Sequence, residues 1–228
     1  MSLSPTDLAI VLLSLKVALV ATVVSVPVAI AVALLLARGR FWGRGLLNAI
    51  VHLPLVMPPV VTGYLLLRLF GRRGLIGAFL EDTIGLTFAF RWTGAALAAA
   101  VMGFPLMVRA IRQAIEQVDP QLEEASASLG ASPLWTMVAV TIPLALPGVL
   151  AGMVLAFAKA LGEFGATITF VSNIPGETRT LSLAIYTYLQ VPGNDAHLWR
   201  LVWLAVGVSC AALLASELLA RRIGTKTR

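Results

Sequence analysis

The chain alternates between long stretches without charge and short charged segments. Asp, Glu, Lys and Arg are absent from five runs, which cover residues 17–37, 45–67, 92–108, 125–158 and 201–216. A helix needs about 20 apolar residues to cross the hydrocarbon core of a bilayer, and the first two runs meet that length outright. The pattern predicts an all-α polytopic membrane protein with one domain over residues 1–228. Its five transmembrane helices are expected at about 9–37, 46–68, 92–111, 147–170 and 199–220.

The distribution of Lys and Arg predicts the orientation of these spans. No basic residue precedes Lys16, whereas three arginines follow the first span within residues 38–44. Positively charged flanks stay in the cytoplasm, so we expect the N-terminus outside and residues 112–146 on the cytoplasmic side. Two spans within 125–158 would instead put the C-terminus outside. That arrangement conflicts with the basic residues at the end of the chain, which are Arg221, Arg222, Lys226 and Arg228.

Composition supports a membrane protein and argues against several other functions. Of the 228 residues, 59% are hydrophobic and 12% are charged, and the mean hydropathy is +0.91. The net charge of +6 does not indicate nucleic-acid binding, because the basic residues lie at span ends rather than in one patch. Cys210 is the only cysteine, which excludes an intrachain disulfide and a cysteine-based metal site.

Enzymatic motifs are missing from the sequence. It contains no Gly-x-x-x-x-Gly-Lys-Ser/Thr phosphate loop and no hydrolase or zinc-protease signature. We therefore expect no ATPase site, no cofactor, no metal and no enzymatic activity in this chain. His52 and His197 have no carboxylate or cysteine at ligand spacing, and we interpret both as non-catalytic.

A short polar helix is predicted between the third and fourth spans. Asp119 can cap its N-terminus, and Glu123 and Glu124 lie near the positive end of its dipole. Gly130 can end it in a left-handed conformation. A capped polar helix within an otherwise lipid-soluble chain indicates a handle for a soluble partner.

The second predicted span contains three prolines within six residues, Pro54, Pro58 and Pro59. Prolines interrupt helical hydrogen bonding, which is tolerated at membrane depth only where neighbours or water satisfy the backbone. Two interpretations remain open. The segment is either a kinked helix that lines a translocation path, with Pro58, Pro59 and Thr62 as candidate residues, or a bent packing helix.

Small residues recur at every fourth position of the fourth predicted span, at Gly148, Gly152, Ala156 and Ala160. Such a stripe lets helix backbones approach closely. It indicates packing within the chain, or alternatively a subunit interface or a pore lining.

The end of this span carries Lys159 and Glu163 on one helical face, either as a structural ion pair or along a substrate route. The following segment, 162–180, is rich in hydroxyl and glycine residues. The hydroxyls of Thr167 and Thr169 and the freed backbone N–H groups near Gly165 are candidates for weak contact with a passing oxyanion, and these residues together with Glu163 are the candidates for the translocation path in this segment. An ordered external turn is the alternative interpretation of this segment.

Several segments carry a resemblance to a known family. Glu124-Ala125-Ser126-Ala127-Ser128-Leu129-Gly130, followed by Val140-Thr141-Ile142-Pro143, resembles the EAA loop of bacterial ABC importer permeases. Ser126 replaces the usual second alanine of that motif, and Val140 replaces the usual isoleucine. With the segments 52–61, 104–112 and 162–180, nearly the whole chain resembles the molybdate ABC transporter permease subunits of Gram-negative bacteria.

This resemblance implies a type I ABC importer permease fold in the bacterial inner membrane, with the N-terminus in the periplasm and the C-terminus in the cytoplasm. It implies a homodimer in contact with membrane lipid, bound to ABC ATPase subunits and served by a periplasmic oxyanion-binding protein. Molybdate would cross by ATP-driven alternating access, coupled through the helix at 120–132. The resemblance assigns ATPase coupling to Glu123, Glu124, Ala125, Leu129, Gly130 and Pro143.

Other functions remain open from the sequence. A permease for sulfate, thiosulfate or tungstate belongs to the same class and would have a similar sequence. A stand-alone channel or ion-coupled carrier is the alternative from another class, but it leaves the capped polar helix unexplained.

Overall fold

The computed structural model describes residues 4–224, and every regular element in that range is helical. The α-helices in chain order are α1 (Pro5–Arg38), α2 (Arg44–Val56), α3 (Pro59–Phe70), α4 (Leu75–Ile84), α5 (Trp92–Glu116), α6 (Pro120–Ser128), α7 (Pro133–Thr136), α8 (Ile142–Leu161), α9 (Gly165–Val171), α10 (Leu181–Leu189) and α11 (Asp195–Gly224). A π-helical turn, Met137–Thr141, joins α7 to α8.

Three helical runs are long and apolar enough to cross a membrane by length and composition. They are α1, α5 and the continuous run Pro133–Leu161. The pair α2 and α3 meets the same criterion together as a bent span. Within the described residues this gives three or four such segments rather than the predicted five. Lys226 and Arg228, which support the predicted orientation, lie outside the described residues.

The second predicted span, 46–68, is not one helix. It divides into α2 and α3, whose axes meet at 115°. Met57 and Pro58 between them are extended, with ψ angles of 146° and 131°. A residue before proline is pushed out of the helical region, and proline has no N–H to donate. The tandem prolines Pro58-Pro59 therefore end α2 and begin α3.

The boundaries of the fourth predicted span, 147–170, also need correction. The helical run begins at Pro133 rather than at 147, and it ends at Leu161 rather than at 170. The π-turn explains this continuity. Pro143 has no N–H and its ring would clash with the carbonyl one turn earlier, and the wider turn lets the N–H of Ile142 bond to the carbonyl of Met137. The chain then breaks at 162–164 and resumes as α9.

Helix α5 lies at the centre of the fold, between α1 and α8. The small-residue stripe of α8 faces it. A Cβ atom on Gly152 would lie 3.0 Å from the carbonyl oxygen of Met107, and one on Gly148 would overlap Ala114. Ala156 lies against Gly103, whose added Cβ would be 3.1 Å from its carbonyl oxygen. The stripe therefore packs two helices of one chain together.

The last helix returns to the first at the end where α1 begins. Leu181, Ala184 and Leu201 form a small buried cluster between α10 and α11. Arg200 Nη1 donates to Asp7 Oδ2 at 3.1 Å, and Asp7 is 3% exposed. An ion pair thus joins α1 and α11.

Candidate functional site

The polar helix α6 has the caps that the sequence predicts. Asp119 Oδ1 accepts a hydrogen bond from the N–H of Gln121 at 2.9 Å. At the other end Gly130 has φ +86°, its N–H bonds to the carbonyl of Ala127, and the N–H of Ala131 bonds to the carbonyl of Ser126. These two bonds form a Schellman motif, which requires the left-handed residue. No residue of α6 is buried, and only Glu123 and Ser126 are partly covered, so most of the helix surface is available for contact.

One carboxylate ties this exposed helix to the rest of the chain. Glu123 Oε1 lies 3.0 Å from Arg38 Nη2 and accepts a hydrogen bond of 2.8 Å from Thr141 Oγ1. Arg38 also donates to the carbonyls of Ile115 and Val118 at 3.1 and 3.3 Å. The end of α1, the end of α5 and the π-turn therefore meet at the Arg38–Glu123 pair.

A second contact fixes α6 against the start of the next helical run. Ser126 Oγ and Thr136 Oγ1 are 3.0 Å apart, and Ser132 caps α7 by accepting from the N–H of Trp135. A groove of about 940 Å³ separates α6 and α7 from α1, with Leu34, Arg38 and Met137 among its walls. Helix α6 is thus fixed through Glu123 and Ser126, and the groove separates the rest of the helix from α1.

The six residues assigned to ATPase coupling divide by position. Glu124, Ala125, Leu129 and Gly130 are exposed on or directly after α6, and Leu129 is 90% exposed. Glu123 is turned inward as the anchor. Pro143 lies in the first turn of α8 beside the π-turn. Sequence reasoning missed Arg38 and Thr141, because nothing local indicates partners 85 and 18 residues away from Glu123.

The proline-rich segment and the segment after α8 come together although about 100 residues separate them. A Cβ on Gly63 would lie 2.5 Å from the carbonyl oxygen of Ala166, and one on Gly165 would lie 2.8 Å from Pro59 Cβ. Helices α3 and α9 therefore touch backbone to backbone. The two segments that the sequence offers as candidates for the translocation path, 58–62 and 163–169, thus meet at this single contact.

The side chains at this contact differ in exposure. Thr62, Glu163 and Thr167 are buried, whereas Pro58 and Pro59 are exposed, and Gly165 and Thr169 are half-buried. The hydroxyl of Thr62 has no hydrogen-bond partner among the described residues. Thr169 Oγ1 instead returns to the carbonyl of Gly165 at 2.9 Å.

Glu163 holds the break between α8 and α9. Its Oε1 accepts from the N–H of Ala166 at 3.0 Å, which satisfies a free donor at the start of α9. Its Oε2 lies 3.2 Å from Lys159 Nζ. Lys159 and Glu163 thus form the i, i+4 ion pair that was one of the two interpretations of the sequence, and Glu163 also acts as a cap, which the sequence did not indicate.

The loop after α9 is an ordered turn. Gly176 has φ +78°, and the N–H of Glu177 bonds to the carbonyl of Ile174 at 3.2 Å, as in a type II turn with Pro175-Gly176 at its centre. Thr178 is fully buried, accepts from the N–H of Ile174 and donates to the carbonyl of Ser172. This loop is held by its own side chains.

Comparisons with known proteins agree with this architecture. The family described as "Binding-protein-dependent transport system inner membrane component" matches residues 25–227. The molybdenum transport system permease protein ModB of Escherichia coli K12 is 57% identical over 211 residues, which cover 92% of each chain. ModB of Haemophilus influenzae is 53% identical over 94% of this chain and 93% of its own.

Solved structures of low sequence identity share the fold. The inward-facing MetNI methionine ABC transporter matches with a TM-score of 0.73 at 18% identity, covering 97% of this chain and 99% of that one. A bacterial ABC transporter that imports alginate matches with a TM-score of 0.76 at 19% identity, covering 97% and 81%. The family match over residues 25–227 and the identities to the two ModB proteins confirm the resemblance drawn from the sequence, and the chain belongs to the family of binding-protein-dependent transport system inner membrane components.

Proposed function

We propose that this chain is the transmembrane permease subunit of an ATP-driven importer that carries molybdate across the bacterial inner membrane. The identity of 57% to a molybdenum permease over 92% of both chains supports molybdate as the substrate. The chain supplies the passage, and a separate ATPase supplies the energy. A periplasmic oxyanion-binding protein delivers the anion.

The attachment of α6 is the observation that carries this proposal. An ATPase that closes on ATP must pull on a surface that is exposed, rigid and tied to the spans. Helix α6 is exposed along its length, capped at both ends, and fixed through Glu123 to α1 and to the π-turn that leads into α8. Movement of α6 is thereby transmitted to two long helices at once.

In this mechanism the candidate residues have different roles. Glu124, Ala125, Leu129 and Gly130 form the surface that seats in the ATPase, with the small side chain of Ala125 allowing close approach. Glu123 transmits the movement, and Pro143 maintains the π-turn. The contact of α3 with α9, at Pro58, Pro59, Thr62, Glu163, Gly165, Thr167 and Thr169, borders the translocation path.

The proposed topology has five spans with a periplasmic N-terminus and a cytoplasmic C-terminus. The bent pair α2–α3 counts as one span and α11 as the fifth. Two copies of the chain form the passage between them. Exposed apolar side chains on α1 and α3, such as Leu19, Val24, Val60 and Tyr64, suit contact with lipid or with the second copy.

Reconstitution tests this function. The chain is assembled in proteoliposomes with its ATPase and binding protein, and ATP hydrolysis and uptake are measured with molybdate, tungstate or sulfate loaded. Stimulation and uptake with molybdate, and none with sulfate, are expected. Stimulation by sulfate alone would keep the importer mechanism and change the substrate. Failure to bind any ATPase would overturn the role of α6.

A further inference from the structure

Arg179 occupies an unusual position in the loop that follows α9. Its Nε donates to Asn173 Oδ1 at 2.9 Å, and its terminal nitrogens make no hydrogen bond with the described residues. It forms no ion pair within the described part of the chain. The side chain is half-buried. A guanidinium held at one nitrogen presents the rest of its donor fork in a fixed direction.

Asn173 holds Arg179 because it is itself fixed. Its Nδ2 donates to Thr187 Oγ1 at 2.7 Å and to the carbonyl of Leu183 at 3.4 Å, both on α10. The side-chain nitrogen of Asn173 therefore donates to α10, and its side-chain oxygen accepts from Arg179. This relay connects the arginine to a helix rather than to a flexible loop.

The backbone is strained where it turns Asn173 towards α10. Ser172, which ends α9, has φ 63° and ψ −161°, a region that only glycine adopts readily. Its N–H bonds to the carbonyl of Ile168, and its carbonyl accepts from Thr178 Oγ1. Strained residues persist where the surroundings fix them, and they concentrate at functional sites.

The two acidic groups that precede Arg179 most closely in sequence, Glu177 and Glu163, are used elsewhere. Glu177 Oε1 accepts from the N–H of Trp92, at 3.4 Å, at the start of α5. Glu163 is shared between Lys159 and the N–H of Ala166. The charge of Arg179 is thus left without a carboxylate of its own loop. Its counter-charge must come from a ligand, a partner or solvent.

We propose that Arg179 is the first oxyanion-binding residue of the permease, receiving the tetrahedral dianion as it leaves the binding protein. This inference rests on the proposed function, in which the loop 172–180 faces the periplasm and α9 borders the path. A guanidinium fork matches two oxygens of a tetrahedral oxyanion. A single half-exposed arginine attracts the anion without retaining it, as transport requires. Asn173 is the positioning residue.

The test compares Arg179→Gln, Arg179→Lys and the control Arg73→Gln in the reconstituted complex. Arg73 is exposed and unpaired among the described residues, in the loop between α3 and α4. The readouts are molybdate uptake per ATP hydrolysed, stimulation of ATP hydrolysis by loaded binding protein, and the binding-protein concentration at half-maximal stimulation. Yield and the thermal midpoint of the assembled complex report on folding.

For Arg179→Gln we expect uptake per ATP to fall about tenfold, the usual effect of losing a charge-assisted hydrogen bond. Stimulation and its half-maximal concentration stay at the wild-type value. Arg179→Lys is intermediate, because lysine keeps the charge and loses the fork. Arg73→Gln transports as the wild type does.

Three results would overturn the inference. The first is wild-type uptake by Arg179→Gln. The second is full recovery of uptake by that variant at high binding-protein concentration, which would show that Arg179 binds a carboxylate of the binding protein. The third is a lower thermal midpoint with unchanged uptake per assembled complex, which would show a structural role. A wild-type complex that moves no oxyanion would instead refute the proposed function itself.

Discussion

At the residue scale, the Arg38–Glu123 pair carries more of the proposed mechanism than any residue of the EAA pattern. Arg38 has three acceptors, the carboxylate of Glu123 and two carbonyls at the end of α5. Its side chain is 35% exposed, so solvent screens the pair. The pair therefore contributes modestly to stability, and its main effect is to fix the position of α6.

We expect Arg38→Gln to lower the free energy of unfolding by about 1 kcal/mol, typical of a half-exposed charged contact. The larger effect is on coupling, because α6 loses its connection to α1. Thermal unfolding in detergent and stimulated ATP hydrolysis measure the two effects. Arg40→Gln is the control, since Arg40 is exposed and forms no ion pair within the described residues. Equal effects of the two variants would contradict the anchoring role.

At the element scale, two helix breaks lie beside the proposed translocation path. The tandem prolines end α2, and the break at 162–164 ends α8. Each break starts a short helix, α3 or α9, and these two helices pack against each other through glycine. Irregular backbone at membrane depth is tolerated where protein or a water-filled cavity surrounds it. The breaks therefore suit a position beside a passage.

Gly63→Ala tests this packing. Its Cβ would lie 2.5 Å from the carbonyl oxygen of Ala166 and 2.9 Å from Ala166 Cα, so the backbones must separate. Overpacking of this kind costs about 1–3 kcal/mol, and we expect a lower thermal midpoint together with slower uptake. Gly45→Ala on α2 meets no atom within 4 Å and should leave both unchanged. An unchanged midpoint for Gly63→Ala would refute the close contact.

At the scale of the whole molecule, an ion pair joins the first and last helices. Asp7 is 3% exposed, and its oxygen also accepts from the N–H of Ser4. Arg200 Nε has no partner among the described residues, so Asp7 is the principal acceptor for that side chain. The pair closes α11 against α1 across nearly the full length of the chain.

Asp7→Asn leaves the guanidinium of Arg200 without its counter-charge. Removing one partner of a fully buried pair costs about 3–5 kcal/mol, and we expect about 1–3 kcal/mol because the Arg200 side chain is 24% exposed. The double variant Asp7→Asn/Arg200→Gln should recover part of this loss. Thermal unfolding of the wild type, the single variants Asp7→Asn and Arg200→Gln, and the double variant gives the coupling energy, and strictly additive losses would show that the charges do not interact.

The sequence by itself determined the apolar helices, the caps of α6 and the interruption of the second span by its prolines, although not that Pro58-Pro59 divides it into two helices. These depend on partition into lipid and on contacts within a few residues, which composition and spacing express directly. It did not indicate that the helix of the fourth span begins as early as Pro133, because the π-turn Met137–Thr141, just before Pro143, continues a helix where proline usually ends one.

Only the tertiary structure decided which distant segments meet. It joined α3 to α9, turned Glu123 rather than Glu124 inward to Arg38 and Thr141, and connected Arg179 through Asn173 to α10. Each of these contacts depends on how rigid helices pack, and packing is set by the shapes of all the partners together. No local pattern around one residue contains that information, because its partner lies many residues away in the chain.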